Sequence, residues 1–511
     1  MGANDFNDLI ATIKAAQTNR LDSPLLKSFL QPASATTGLQ AYDLEAPSKK
    51  LYPVLTPLRN EIPRIGGGFA IQANWKAITN INVANVRAGV GEGKRGGVIS
   101  HAQSEYFAAY RGWGLENNAS FESVYAGRNY EDIRALAVQQ TLEATMIQEE
   151  RLILGGNTNV AMGTTPTPTV VAATSGGSLA DATYKVICVA LGLQAYLDVA
   201  GVNNGGVGEY LDVTTAQVPG AVSRTNADGT TSDYGGGSAQ KSAASADAVI
   251  SGGSGAGKLT CTVAAVKGAV GYAWFVGVSG SEKLAAVTSI NSAVITVAAD
   301  SGAQAASSLT AADHSTSALD FDGLLYQAAK TGSNAYWKTM ANGVAGTGTP
   351  LTSDGAGGIV EFEEAFAYFF NRYRITPTTI DVSSQELLNI TKKIIDNGGA
   401  PLLQLSVNAT QQGMISAGVV VGSYLNKITN TRVAIRVHPN MPAGTLMFSA
   451  KRLPYPLAGI PNIVQMRMRQ DYYQIEWPLQ TRRHDFGVYA DGVLQHYAPF
   501  SLGVITNIGN G

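Results

Sequence analysis

The chain has little cysteine, no long hydrophobic run and no excess of charge of either sign, and each shortage removes a class of function. Its two cysteines in 511 residues, Cys188 and Cys261, lie in strand-like text, which admits a disulfide between two sheets. An immunoglobulin-type bridge would set its core tryptophan between the cysteines, whereas Trp274 follows the second. Buried free thiols fit better in a chain made in the cytoplasm. Apolar stretches such as Gly271 to Val278 and Gly418 to Val421 fall far short of the roughly 18 residues a membrane helix needs, so a soluble protein with no membrane partner is expected. Lys and Arg number 36 against 38 Asp and Glu, a formal charge of -2, so the broad positive field that drives tight nucleic-acid binding is missing. Met1-Gly2-Ala3-Asn4-Asp5-Phe6 lacks the basic and then apolar run of a secretory signal.

Charge is scarcest in the middle. From about Thr164 to Asp313 the text is Gly, Ala, Ser, Thr and Val with a single arginine, Arg224, while both flanks carry helix caps and amphipathic periodicity. That shift, in a chain too long for one core, predicts a β-rich module inserted into an α+β host. Tyr184-Val186-Cys188-Ala190 and Tyr272-Trp274-Val276-Val278 alternate with period two between Gly, Ser and Asn turns, the pattern of a sandwich of short strands. The module is expected to fold by itself.

In the flanks, residues 1 to about 50 hold one modest helix signal, Phe6-Leu9-Ile10-Ile13, and read as an extended arm. Val54 to Tyr110 is β-like, with glycine bends at Gly66-Gly67-Gly68 and Gly89 to Gly97, and predicts a long two-stranded excursion. Tyr130 to about Leu154 predicts the longest helix, capped by Asn129, carrying two apolar stripes and stopped at Gly155-Gly156. A second helix is expected over Ile359 to Tyr373, and a third from a capping box at Ser383 and Glu386 to Asn397-Gly398-Gly399, with the strand Thr379 to Val382 between them. The last hundred residues alternate as antiparallel strands around Val433-Ile435-Val437, Leu446-Phe448, Tyr473-Ile475-Trp477 and Phe486-Val488.

No motif carries catalytic chemistry. Gly91-Glu92-Gly93-Lys94-Arg95-Gly96 has the spacing of a dinucleotide loop, but Gly97-Val98-Ile99-Ser100 reads as a returning strand where a helix must begin. Gly252-Gly253-Ser254-Gly255-Ala256-Gly257-Lys258 resembles a phosphate loop, but Leu259 stands where a hydroxyl must hold magnesium, so a hairpin turn is expected. Asp320-Phe321-Asp322-Gly323 begins like a calcium loop and lacks the closing ligands. His101, His314, His438, His484 and His496 have no metal-ligand spacing. No catalytic residue, cofactor or metal is expected.

Taken together, Thr56-Pro57-Leu58-Arg59-Asn60-Glu61-Ile62-Pro63-Arg64, Ala73-Asn74-Trp75-Lys76-Ala77-Ile78 and the glycine loop at 91–97 resemble a tailed-bacteriophage major capsid protein. Tyr125-Ala126-Gly127-Arg128, Glu149 to Asn157, Val382 to Glu386 and Arg482 to Asp491 extend the resemblance over nearly the whole chain outside the insert. It implies the Hong Kong 97-like α+β capsid fold, divided as N-terminal arm 1–53, extended loop and its base 54–110, peripheral domain with spine helix 111–163, axial domain 314–445 and C-terminal peripheral strands 446–511. The insert, 164–313, resembles an immunoglobulin-like sandwich displayed on the outer surface.

The same resemblance implies a structural protein of the virion, not an enzyme. Its hexamers and pentamers would close an icosahedral shell around double-stranded DNA held by weak non-specific contacts. Portal and possibly scaffold, protease or decoration proteins would be its other partners. No fused scaffolding segment is expected before the arm, so a separate scaffold protein, or none, is expected. Inter-subunit contact is expected at Arg59, Arg64, Lys76, Lys94 and Arg95. Some relatives crosslink through Lys and Asn, for which Lys76 or Lys94 offers a position, but no acceptor Asn or assisting Glu aligns. A β-rich adhesin or tail component is the alternative reading.

Overall fold

The computed structural model describes residues 48–81, 87–128, 130–200, 215–309, 311–396, 421–456 and 458–509. The helix signal at Phe6 to Ile13, the cap at Asn129, the stop at Asn397-Gly398-Gly399 and most of the arm assigned to 1–53 lie outside them.

The long helix runs Ile133–Gly155, about 34 Å at 1.5 Å per residue. Asp132, not Asn129, caps it, its carboxylate accepting from the N–H groups of Arg134 and Ala135. The expected apolar stripes are only half covered, and Ala135 is exposed. The fully buried line is instead Ala137, Thr141, Thr145 and Glu149 at i, i+4 spacing. Each threonine returns its hydroxyl to the carbonyl four residues back, at 2.8 Å, which satisfies the group inside the contact. Small residues there let the helix lie close on the four-stranded sheet of Arg64–Ile65, Val464–Glu476, Arg483–His496 and Arg111–Ser120.

Gly155 and Gly156 end the helix for want of space rather than for a left-handed turn. A Cβ on Gly155 would stand 2.2 Å from Leu193 Cδ2, and one on Gly156 2.3 Å from the Phe321 carbonyl oxygen.

A six-stranded sheet has the order Tyr336–Thr339, Gly503–Thr506, Leu446–Ser449, Thr379–Val382, Thr431–Val437, Ser423–Asn426. The helix Val360–Tyr373 lays Phe362, Phe366 and Phe369 on it, fully buried against Phe448, as its periodicity predicts. The helix Ser384–Asp396 starts as expected, with Ser383 Oγ accepting from Glu386 N–H at 3.1 Å. The Glu386 carboxylate, however, accepts from Gly444 N–H at 3.0 Å, so the box is used on one side and the glutamate ties the helix to the sheet. The division at residue 445 is cut by this sheet: Leu446–Ser449 and Gly503–Thr506 pair here, and only Val464–Glu476 and Arg483–His496 join the four-stranded sheet.

The low-charge segment forms a separate two-stranded hairpin, Ala221–Thr225 with Thr231–Gly235, and two facing sheets of seven strands, counted here without the hairpin. The third and second strands with the fifth and sixth make one, in the order Lys283–Thr288, Gly271–Val278, Ala182–Leu191, Ala248–Ile250. The seventh, fourth and first make the other: Ser292–Ile295, Lys258–Thr262, Thr169–Ala173. An immunoglobulin sandwich groups strands one, two, five and four against three, six and seven, so the sandwich expectation holds and the immunoglobulin strand order does not. Cys188 and Cys261 are buried free thiols within its core, as expected; burial pushes the Cys261 thiol up to about 12.

The ends of the segment meet, Gly163 N–H donating to Asp313 Oδ2 at 2.7 Å. Its independence is nevertheless incomplete. A helix at Leu193–Val199, unforeseen in the sequence, buries Leu193 and Leu197 in one cluster with Ile153, Leu154, Phe321 and Leu324 of the flanks. Arg151 reaches Asp198 at 3.3 Å across the same boundary.

Candidate functional site

Two connected features stand out: a hairpin with an exposed apolar face, and an ionic junction that fixes its base. Gln72–Asn80 pairs antiparallel with Ala102–Ala109 and, among the described residues, with no third strand. A lone two-stranded ribbon is marginal in water. Its single aromatic anchor is Trp75, stacked on Tyr106 and set edge-on to Tyr497 at 5.7 Å. Outward stand Ile71, Ile78, Phe107 and, in the tip loop, Val98, exposed by 78, 67, 67 and 91%.

The expected strand return at Gly97 to Ser100 is missing, since pairing resumes only at Ala102. The tip instead makes one turn, closed by Lys94 N–H to the Gly91 carbonyl at 3.0 Å, with Gly93 at φ +71°. Lys94 and Arg95 are exposed, and neither has an ion pair among the described residues. Lys76 is exposed on the ribbon opposite Glu105. No helix follows the glycines, so the dinucleotide reading stays excluded.

Arg59 and Arg64 lie elsewhere. Both turn inward to Glu149, a fully buried carboxylate of the long helix: Arg59 Nε lies 2.9 Å from Oε2, while Arg64 holds Oε1 and, at 2.6 Å, Asp471. Tyr472 donates its hydroxyl to Glu149, and both guanidinium groups lie over its ring, at 5.2 and 5.1 Å from the centroid. Burial works against the Arg64 charge, but Asp471 and Glu149 outweigh it and raise its pKa. Within the subunit both arginines are therefore already paired with carboxylates.

The neighbouring Glu150 caps the short helix Pro57–Glu61, accepting from Leu58 N–H at 2.9 Å and Arg59 N–H at 2.7 Å. His438 Nε2 lies 2.7 Å from the same carboxylate, and its Nδ1 accepts from Asn440 N–H, which leaves the ring proton on Nε2 to donate to Glu150. At the other end of that helix Glu61 binds Arg436 and Lys451, and Arg436 also holds the buried Asp381 at 2.6 Å. Through Leu58, Arg59 and Glu61 the short helix at the foot of the hairpin is thus bonded to the long helix and the six-stranded sheet, and Arg64 beside it to the long helix and the four-stranded one. Sequence reading missed this helix inside β-like text. Its one signal is Thr56-Pro57, the pairing of a capping-type residue with proline at the first helical position.

The remaining motifs hold no ligand chemistry. The amides of Gly252 and Gly253 are taken by Asp181, at 2.8 and 3.1 Å, and those of Ala256 and Gly257 by backbone carbonyls, and a strand follows where a phosphate loop needs a helix. That loop also joins strands of different sheets and is not a hairpin turn. Asp322 accepts from Thr158 N–H and Asn159 and pairs with Lys330, and among the described residues no acidic or histidine cluster is arranged for a metal.

No family model matches the sequence, and no curated protein matches it. Among solved structures the chain is similar to phage capsids. The capsid of Myoviridae phage XM1 matches at 8% identity and TM-score 0.38, over 92% of this chain and 97% of that one. The capsid of a native GTA particle matches at 8% and 0.39, over 93% and 98%. The mature capsid of bacteriophage PhiM1 matches at 8% and 0.34, over 95% and 98%.

Proposed function

We propose that this chain is a major capsid protein, many copies of which close into the shell of a tailed-phage virion around double-stranded DNA. The observation that carries the proposal is the unaccompanied hairpin. Its Ile71, Ile78 and Phe107 are exposed and find no cover among the described residues, while its base is held by buried ion pairs that spend stability on rigid presentation. A protruding apolar ribbon on a fixed mount is what a subunit needs to clasp its neighbour. The order of elements, hairpin, long helix, insert and then a six-stranded sheet with two helices, supports the same reading. Lys94 and Arg95 at the tip would meet carboxylates of the adjoining copy and set register more than affinity. Display of the two-sheet insert on the outer surface belongs to the same reading.

Sedimentation and negative-stain microscopy of the full chain, produced with any scaffold or protease that accompanies it, test the proposal. Closed shells or five- and six-membered rings are expected; a monodisperse 53.3 kDa monomer would overturn it. Lys94→Glu with Arg95→Glu should cut shell yield at least tenfold while the subunit keeps its unfolding midpoint, and an unchanged yield would remove the tip contact.

A further inference from the structure

The insert meets the host at a second place, far in sequence from its helix Leu193–Val199. Between the strands Lys283–Thr288 and Ser292–Ile295 the chain crosses from one sheet of the sandwich to the other through Ser289-Ile290-Asn291. A connection at the rim of a sandwich ordinarily runs in water. Here Asn291 and Ser292 are fully buried, and host groups meet them.

Asn291 N–H donates to Asn507 Oδ1 at 2.8 Å, its side-chain amide donates to Asn342 Oδ1 at 2.7 Å, and Gly346 N–H donates to Ser292 Oγ at 3.0 Å. Asn507 stands directly after the strand Gly503–Thr506, and its own amide donates at 2.8 Å to the carbonyl of Met340, directly after Tyr336–Thr339. One side chain therefore ties the ends of two parallel strands of the six-stranded sheet and receives the insert. The host loop fits closely on the turn: a Cβ on Gly346 would stand 2.9 Å from Val294 Cγ2, and one on Gly348 3.3 Å from Ile290 Cδ1.

The turn is also held from inside the sandwich. Trp274, wholly buried in that core, donates its indole N–H to Thr288 Oγ1 at 2.8 Å, and this hydroxyl donates to the Ile290 carbonyl at 2.6 Å. Asn291 pairs with Val263 as well, accepting its N–H at 3.0 Å and returning a side-chain bond to its carbonyl at 2.6 Å. Force on the turn is thus carried into both sheets through packed and hydrogen-bonded groups. At the other anchor Leu193 lies against Gly155 at the end of the long helix, and Leu193 N–H donates to the Tyr326 hydroxyl at 3.2 Å.

We propose that the insert is a brace. With one anchor on the end of the long helix and the other on the edge of the six-stranded sheet, it fixes the angle between these two parts of the host, and the Asn291 turn is the catch that must open before the angle can change. The brace concerns one subunit and stands whether or not shells form.

The test uses full-length subunits with Gln140→Cys on the long helix and Leu388→Cys on the helix Ser384–Asp396, both exposed sites, carrying nitroxide labels; the native cysteines are buried. Electron–electron double resonance reads the spread of distances between the labels. Adding Ile290→Ala and Asn291→Ala should widen that spread at least about twofold, and an unchanged spread would overturn the proposal. Amide hydrogen exchange on the same variant shows whether the sandwich survives. Ala182–Leu191 and Gly271–Val278 should keep their protection; if they lose it, the turn serves only the sandwich's own stability and the proposal falls. Asn342→Ala covers a multiple variant that fails to fold, since it removes one acceptor on an exposed residue. It should speed exchange of the Asn291 and Gly346 amides, one on each side of the contact, by about tenfold. Unchanged exchange, or faster exchange on the host side alone, would likewise overturn the brace.

Discussion

Glu386 shows how a single carboxylate ties local to tertiary structure. Buried at the first turn of its helix and holding the Gly444 amide, it has a pKa raised by burial from 4.5 to about 6, a difference worth about 2 kcal/mol. The folded state therefore binds this proton more tightly than the unfolded state. The stabilisation is complete below pH 4.5 and is lost as pH rises through about 6. Gln mimics the protonated acid, so Glu386→Gln should gain on the natural protein by about 2 kcal/mol between pH 4 and pH 7; urea unfolding of unassembled subunits at both pH values measures it. Glu149 has the opposite character, a buried carboxylate whose partners are cations. Glu149→Ala leaves Arg59 and Arg64 facing a hole and should cost about 3 kcal/mol, read in the same experiment, with the hairpin amides exchanging faster as its mount loosens.

Elements were legible in the sequence where their signal is local. Val360–Tyr373 and Thr379–Val382 fall within a residue of their expected bounds, because a phenylalanine every third or fourth residue and a β-branched run between turns are decided by near neighbours. The long helix was legible in existence and end, but its contact face was not. Thr141 and Thr145 read as polar, and only the closeness of the sheet, with each hydroxyl folded back on its own helix, makes them interior. Of the five basic residues expected at interfaces, composition could not separate Lys76, Lys94 and Arg95, which stay outside, from Arg59 and Arg64, which turn in. Their partners, Glu149 and Asp471, are 85 to 407 positions away. The helix Leu193–Val199 was missed because its apolar residues sit inside a segment whose composition argues for strands throughout.

That helix decides how the molecule divides. The sandwich has its own core, and the meeting of Gly163 with Asp313 gives it the topology of an insertion. Leu193 nevertheless completes the packing at the end of the long helix. Leu193→Ala should cost about 2–5 kcal/mol, seen as a lower urea midpoint of the whole chain and not of a separate transition. Replacing 164–313 by a short Gly-Ser linker should yield an aggregating host, because Ile153, Leu154, Phe321 and Leu324 lose their cover; a soluble, cooperatively unfolding deletion variant would show the sandwich to be dispensable after all.

The parallel pairing of Arg64–Ile65 with Met466 and Arg467 carries a consequence in time. A ribosome adds roughly 5–20 residues per second, so the strand that receives the hairpin's base, and the Asp471 that grips Arg64 from 407 positions away, emerge some 20–80 s after the hairpin itself. Until then a nascent chain carries its hairpin unmounted. On the proposed reading, in which the hairpin clasps a neighbouring copy, the late arrival of the mount would postpone joining until synthesis is nearly complete.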